Sequence, residues 1–376
     1  MNSKIITYML INVFYQLVIG LIYPSLPIFM KLAGLNIITI SIILSSISIL
    51  SFTFSIIIGY FYDRTKEKRL MLIIVGSIGV FILSLISAFP RSYYMLPLLG
   101  ISISALYPMI MVSASEGEKV EKKLGFFWAG GSIGWAIGTG LTGFILKYLG
   151  IFYIYVIATG FYVVMVYISV KSYCEEERRG KNTSQAIKVS PLLFIVSFFA
   201  IFILFSIDVV KNLYLPTYYV FYLGVSVPIA TLTLSVESIL EIPSILFFTQ
   251  LISSKVRDTN VFALSFILAF IYLFLNYLAF NIITAFMAMS FYCLVWGSFI
   301  VSSSIIVATI SEKFRGLGFG IFNALYPLAG IVTPLYVGVL IKSFGYRHTI
   351  LYLSLLPLII GFSYYFIQSK YKIERT

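Results

Sequence analysis

Long apolar runs, interrupted only by turns and small clusters of charge, limit what this chain can fold into. Ile37–Phe61, Leu70–Phe89 and Tyr93–Ser115 each hold little besides hydrophobic, small and hydroxyl residues. Each matches the roughly 20 apolar residues a helix uses to cross a bilayer. Hydrophobic residues make up 60% of the chain and mean hydropathy is +1.02. No soluble core hides that much apolar surface, since ordinary globular chains sit near half. Lipid offers the backbone no hydrogen bonds, so each run must pair its own N–H and C=O groups, and that means helix. A membrane barrel alternates apolar and polar residues, and these runs do not.

Twelve spans are expected, at about 5–30, 37–61, 70–89, 93–115, 125–146, 149–170, 192–222, 227–251, 261–276, 278–311, 317–341 and 347–368. Spans nine and ten are separated only by the stretch from Asn276 to Asn281. The basic residues set the orientation. Of 26 Lys and Arg residues, 20 fall in the terminal segments and even-numbered loops. Five (Lys31, Arg91, Lys147, Lys342 and Arg347) fall in the alternate loops, and Lys211 alone lies inside a span. By the positive-inside rule both termini face the cytoplasm, with the chain multi-pass in the cell membrane. The longest polar stretch, 171–190, reads as a cytoplasmic linker between an N-terminal six-helix bundle, 1–170, and a C-terminal one, 191–376.

The net charge of +12 would suggest nucleic acid in a soluble protein. Here the cations sit in loops beside lipid headgroups, so the expected partners are the bilayer and a small solute, with no nucleic acid. Cys174 and Cys293 are the only cysteines and His348 the only histidine. No disulfide, metal site or cofactor is expected, and no nucleophile or His-containing dyad suggests an enzyme. The first run, Ile5–Met30, is too long for a signal peptide and lacks a small-residue cleavage site.

The halves echo each other. Lys147-Tyr-Leu-Gly150 recurs as Lys342-Ser-Phe-Gly345, Leu124-Gly-Phe126 as Leu317-Gly-Phe319, and Ser48-Ile-Leu50 as Ser238-Ile-Leu240. The shared order and near-constant offset point to duplication.

Between spans two and three lies Gly59-Tyr-Phe-Tyr-Asp63-Arg64-Thr-Lys-Glu-Lys68-Arg69. Such density of charge is rare where charged residues are 11% of the chain. This Gly-xxx-Asp-Arg-xxx-Lys-Arg loop resembles the signature loop of the major facilitator superfamily. It keeps the opening glycine, the acid–base pair and the two closing cations, but has Lys66 in place of the middle glycine. The resemblance implies twelve helices in two pseudo-symmetric six-helix bundles, transport by alternating access, a monomeric state, and a gating latch made by Gly59, Asp63, Arg64, Lys68 and Arg69. Asp63 would meet the positive N-terminal end of span eleven, Gly316-Leu-Gly-Phe-Gly320.

Span five resembles the glycine-rich fifth span of that family. Gly130, Gly134 and Gly138 recur every four residues and make a smooth face. Plain helix packing explains it; packing at a moving interface between the halves is the functional alternative. Span four carries no charge, whereas many proton-driven members have an arginine near its start.

Asp208, Lys211, Glu237 and Glu241 lie deep within spans seven and eight. Ionisable residues in lipid are costly and mark function by default. Asp208, Lys211 and Asn212 share one helical face, as do Glu237 and Glu241. Three acids face one base, and an acid in excess is the kind of group that takes up and releases protons. A structural salt-bridge cluster is the bland reading, and a cationic substrate a third. Asn12 and Gln16, one turn apart in span one, are softer candidates for solute contact, with Tyr107, Trp296 and Asn323 beside them. The expected function is secondary transport, through proton-coupled uptake of a small polar solute such as a sugar or organic acid. Efflux of hydrophobic or cationic compounds is the alternative. A non-transporting sensor is the rival from another class, though no soluble output domain accompanies the spans.

Overall fold

The computed structural model describes residues 3–23, 25–35, 37–115, 119–177, 191–215, 218–219, 222–224, 227–254 and 256–370. Among these, every regular element is helical. Span one is broken into Ser3–Ile22 and Ser25–Leu32. The sequence reads as one continuous run there, but Pro24 lies at the break, and proline both lacks an N–H and disfavours helix in the residue before it. Spans two and three are Ile37–Arg64 and Lys68–Ala88. Span four starts as a 3-10 turn, Tyr93–Leu98, around Pro97, and continues as Leu99–Ser115. Spans five to eight are Val120–Tyr148, Ile151–Glu177, Pro191–Leu213 and Val227–Ser253. Of the expected linker, 178–190 lies outside the described residues.

Spans nine and ten, Asp258–Leu278 and Ile282–Ile310, are distinct helices. Asn281 separates them by capping span ten: its Oδ1 accepts the Thr284 N–H at 2.9 Å. Spans eleven and twelve run together as Arg315–Lys370, interrupted at Gly345, whose φ of 73° is left-handed. Gly150, between spans five and six, has φ 88°. These glycines are the pair that the Lys147–Gly150 and Lys342–Gly345 repeats align, and a left-handed residue at a helix end favours glycine. The duplication visible in sequence thus carries the same backbone turn in both halves, and the break at Gly345 divides the last long helix so that the described residues hold twelve spans.

Large apolar side chains point outward at helical spacing, among them Ile74, Ile78 and Phe81 of span three and Ile359, Phe362 and Phe366 of span twelve. Serines and acids are inside, including Ser298, Ser302, Ser303 and Ser304 of span ten. That inversion suits a lipid solvent, where small and polar residues hold helices together. Span four has 78% of its apolar window buried, span ten 78% and span seven 72%, against 28% for span two.

The chain divides into two compact units: Met1–Ala186 with Ser311–Leu328, and Ile187–Ile310 with Ala329–Thr376. The start of span eleven therefore belongs with the first unit. Span five begins five residues earlier than its apolar run suggests, and its first turn draws in Lys123. This lysine, expected in a loop, is buried with its Nζ 5.8 Å from the Tyr8 ring centre.

Candidate functional site

The four intramembrane charges of the second unit come together. Lys211 Nζ donates to Glu237 Oε2 at 3.0 Å and lies 3.2 Å from Asp208 Oδ1. Asn212 Nδ2 donates to Asp208 Oδ2 at 2.9 Å, so the face shared by residues 208, 211 and 212 is a hydrogen-bonded strip. All four charged side chains are buried, Glu237 completely. An isolated ion there would cost several kcal/mol, so the lysine is what allows the carboxylates to be inside. One ammonium serves three acids, however. Glu241 lies one turn beyond Glu237 in span eight and is buried as well. Glu237 Oε1 accepts no hydrogen bond from a described donor.

Tyrosines complete the cluster. Lys211 Nζ stands 4.3 Å from the centre of the Tyr292 ring, a cation–π contact from span ten. The Tyr292 hydroxyl is within hydrogen-bonding reach of Asp208, and its ring centre is 4.8 Å from that of Tyr272 in span nine. Span ten approaches span eight closely at Gly297, where a Cβ would collide with Ser244 Oγ. Sequence reasoning does not find Tyr292. Aromatics are 17% of the chain, and only the fold selects this ring from the rest.

In the first unit, Asn12 is held from two sides. Its Nδ2 donates to the Phe127 carbonyl at 2.8 Å, and its Oδ1 accepts from the Tyr107 hydroxyl at 3.0 Å. Gln16 is also within hydrogen-bonding reach of Tyr107. The Tyr107 ring stacks on Tyr15 with centres 4.0 Å apart and meets Trp128 edge-on at 6.2 Å. The structure joins Asn12, Gln16 and Tyr107 into one neutral polar cluster walled by aromatic rings. Asn323 of span eleven is bonded to the Phe319 carbonyl at 2.8 Å. Trp296 belongs to the second unit, its ring centre 5.7 Å from that of Phe299.

The charged loop makes the contact its spacing implies. Asp63 Oδ1 accepts the Gly316 N–H at 2.7 Å, and Oδ2 accepts the Leu317 N–H at 2.8 Å. Both donors lie in the first turn of a helix, where N–H groups lack intrahelical partners and an anion is favoured. Gly59 touches Gly316 and Gly320 backbone to backbone, and a Cβ at Gly59 would strike the Gly316 carbonyl. Arg315 Nη1 adds a bond to the Ser115 carbonyl at 3.1 Å. Arg64 and Lys68 turn elsewhere, over the rings of Tyr60 and Tyr62.

The glycine face of span five packs inside the first unit. Gly130, Gly134 and Gly138 lie against the backbone carbonyls of Met9, Val13 and Leu17 in span one. This contact corresponds to plain helix packing, because both partners belong to one compact unit.

Known proteins give a consistent picture. The fold is similar to the crystal structure of the human organic anion transporter MFSD10 (TETRAN), with a TM-score of 0.73 over 96% of this chain and 98% of that one, at 14% sequence identity. At that identity the likeness speaks for the fold alone. No curated protein matches the sequence at a significant level. The family model of the Major Facilitator Superfamily matches residues 8–303, a range that holds the charged loop and the buried acids. The apolar helices among the described residues, the Asp63 contact with span eleven and this match place the chain in the Major Facilitator Superfamily, as a multi-pass membrane transporter.

Proposed function

We propose that this transporter is a secondary carrier which couples proton movement to uptake of a small polar organic solute by alternating access. One observation carries the proton part: Glu237 and Glu241 are both buried one turn apart in span eight, and Glu237 Oε1 accepts no hydrogen bond from a described donor. Two carboxylates have only acceptors, so neither can donate to the other until one of them holds a proton. Gaining or losing that proton changes how the pair, Lys211 and Asp208 share charge. Asp208, Lys211 and Asn212 act as the fixed side of this switch.

The neutral cluster of Asn12, Gln16 and Tyr107 supplies hydrogen-bond donors and acceptors beside aromatic faces, which suits a sugar or a related polar solute. The 20 to 5 partition of basic residues supports cytoplasmic termini in the cell membrane. The loop of Gly59, Asp63, Arg64, Lys68 and Arg69 would then latch the cytoplasmic side. The carrier works as a monomer and takes no cofactor. The organic anion of the MFSD10 name is not carried over, because three acids to one lysine disfavour an anion at the buried cluster.

A second reading has its own support. An excess of acid beside Tyr292 and Tyr272 also suits an organic cation, through charge and cation–π contact. Proteoliposomes with an imposed pH gradient separate the two. Uptake of a neutral polar solute that accelerates with the gradient and stops with a protonophore supports symport. Transport of cationic dyes alone supports efflux. A panel of sugars, organic acids and cations that shows no gradient-dependent movement removes the proton-coupled reading.

A further inference from the structure

The two segments of span one, Ser3–Ile22 and Ser25–Leu32, meet at a break inside an apolar run. A helix end at membrane depth presents carbonyls that no water serves, so each must find a donor within the protein. The chain next to the break supplies two. The Tyr23 N–H donates to the Ile19 carbonyl at 2.9 Å, and Ser25 Oγ donates to the Ile22 carbonyl at 2.7 Å. The Gly20 carbonyl is different. Its helical partner would be the N–H of residue 24, which is a proline and has none.

Span five fills this gap. Thr142 Oγ1 lies 2.9 Å from the Gly20 carbonyl oxygen and 3.0 Å from that of Leu21. It is also 2.9 Å from the Gly138 carbonyl of its own helix. Gly138 already has the Thr142 N–H as its ordinary helical partner, so the hydroxyl proton matters most to span one. Thr142, Leu21, Ile22 and Ser25 are all buried, where a carbonyl without a donor is costly. We propose that Thr142 is a positioning residue for transport: it supplies the donor that Pro24 removes, and makes the break a hinge on which Ser25–Leu32 turns while Ser3–Ile22 stays fixed. The turning rests on the alternating-access reading; the hydrogen bonds do not.

The fixed side is locked backbone to backbone. A Cβ on Gly138, one turn before Thr142, would stand 2.6 Å from the Leu17 carbonyl oxygen and 3.0 Å from Gly20 Cα. One on Gly20 would stand 3.0 Å from the Trp135 carbonyl oxygen. Up to residue 20, therefore, span one has no room to shift along span five. The other side is a short segment of 8 residues. Its Phe29 ring lies 5.8 Å from that of Tyr93, at the start of span four. The joint suits a change of angle. A threonine hydroxyl rotates about a single bond, and the Gly20 and Leu21 carbonyls lie at nearly equal distance from it. Its proton can pass from one to the other as the segment turns, and keep a hydrogen bond to span one throughout. A backbone N–H, fixed along its helix, could not follow.

The test uses the full-length protein in detergent, with amide exchange followed across Leu17–Leu26. Thr142→Val keeps the shape and loses the hydroxyl, and should speed exchange there about tenfold, the order of effect of a buried carbonyl left without its donor. Thr142→Ser should stay near the parent. Pro24→Ala returns an N–H to the Gly20 carbonyl, so adding Thr142→Val to it should change exchange by less than about twofold. If Thr142→Val alone does not fold, recovery of a folded protein by Pro24→Ala supports the assignment in its place. Exchange unmoved by Thr142→Val, an equal effect with and without Pro24, or a double variant that stays unfolded overturns it. The hinge is read separately in membrane vesicles, from labelling of Phe29→Cys by an impermeant maleimide in a Cys174→Ser, Cys293→Ser background. Labelling should slow several-fold when Pro24→Ala straightens the span. Labelling that is absent from the parent, or equal with and without Pro24→Ala, overturns the hinge. Neither assay needs a transported solute, so failure of the carrier reading would show separately, in proteoliposomes.

Discussion

Lys211 on span seven meets Glu237 on span eight at 3.0 Å, where both side chains are almost wholly out of contact with solvent. The same ammonium is 3.2 Å from Asp208 on its own helix. One lysine thus ties two spans together and neutralises two acids.

Lys211→Gln should therefore destabilise the second unit by about 3–5 kcal/mol, the usual consequence of leaving a buried charge without its partner. A Lys211→Gln, Glu237→Gln double variant should recover part of that loss. Thermal unfolding in detergent reads both, and a single variant as stable as the parent would contradict the ion pair.

Glu237→Gln and Glu241→Gln should each abolish accumulation driven by a pH gradient while leaving solute exchange at equal pH in place. The amide keeps the shape but cannot exchange a proton. Gradient-driven accumulation that survives in both variants removes these acids from the proton path.

Asp63→Asn keeps one acceptor oxygen but loses the charge and the second N–H contact. Hydrogen bonds to a charged group are each worth roughly 1.5–3 kcal/mol. Amide exchange in the first turn of span eleven, at Gly316 and Leu317, should speed up accordingly. Unchanged protection there would mean that the turn is held by something else.

Gly134→Ala should cost about 1–3 kcal/mol by overpacking, since its Cβ would collide with the Val13 carbonyl of span one. Gly140→Ala, in the same helix but facing open space, should be neutral or slightly stabilising. Equal melting temperatures for the two variants would refute the close approach of spans one and five.

Tyr107→Phe removes the donor to Asn12 Oδ1 and leaves that buried oxygen without it. A stability loss of about 1–3 kcal/mol is expected, together with a raised KM for the solute. A KM equal to the parent's would take the neutral cluster out of solute binding.

Much of this organisation is legible along the chain. The twelve spans follow from run length, because a bilayer imposes a minimum on any helix that crosses it. Asp208, Lys211, Glu237 and Glu241 stand out because charge inside an apolar run is costly in lipid. Asp63 points to the glycine-rich start of span eleven because a carboxylate and a free helix N-terminus are complementary. The proline-marked breaks of spans one and four and the burial of Lys123 are less visible, since local hydropathy does not record a bend or a first turn drawn inward.

The sequence by itself determined the solvent, the number of crossings, the duplicated plan and the identity of the unusual charges, since these depend on residue type and spacing along one chain. Only the tertiary structure decided that Lys211 serves both Asp208 and Glu237, that Tyr292 joins them, and that the glycines of span five pack on span one. Most of those contacts join helices distant in sequence, and their energy depends on which faces meet, which no single span encodes.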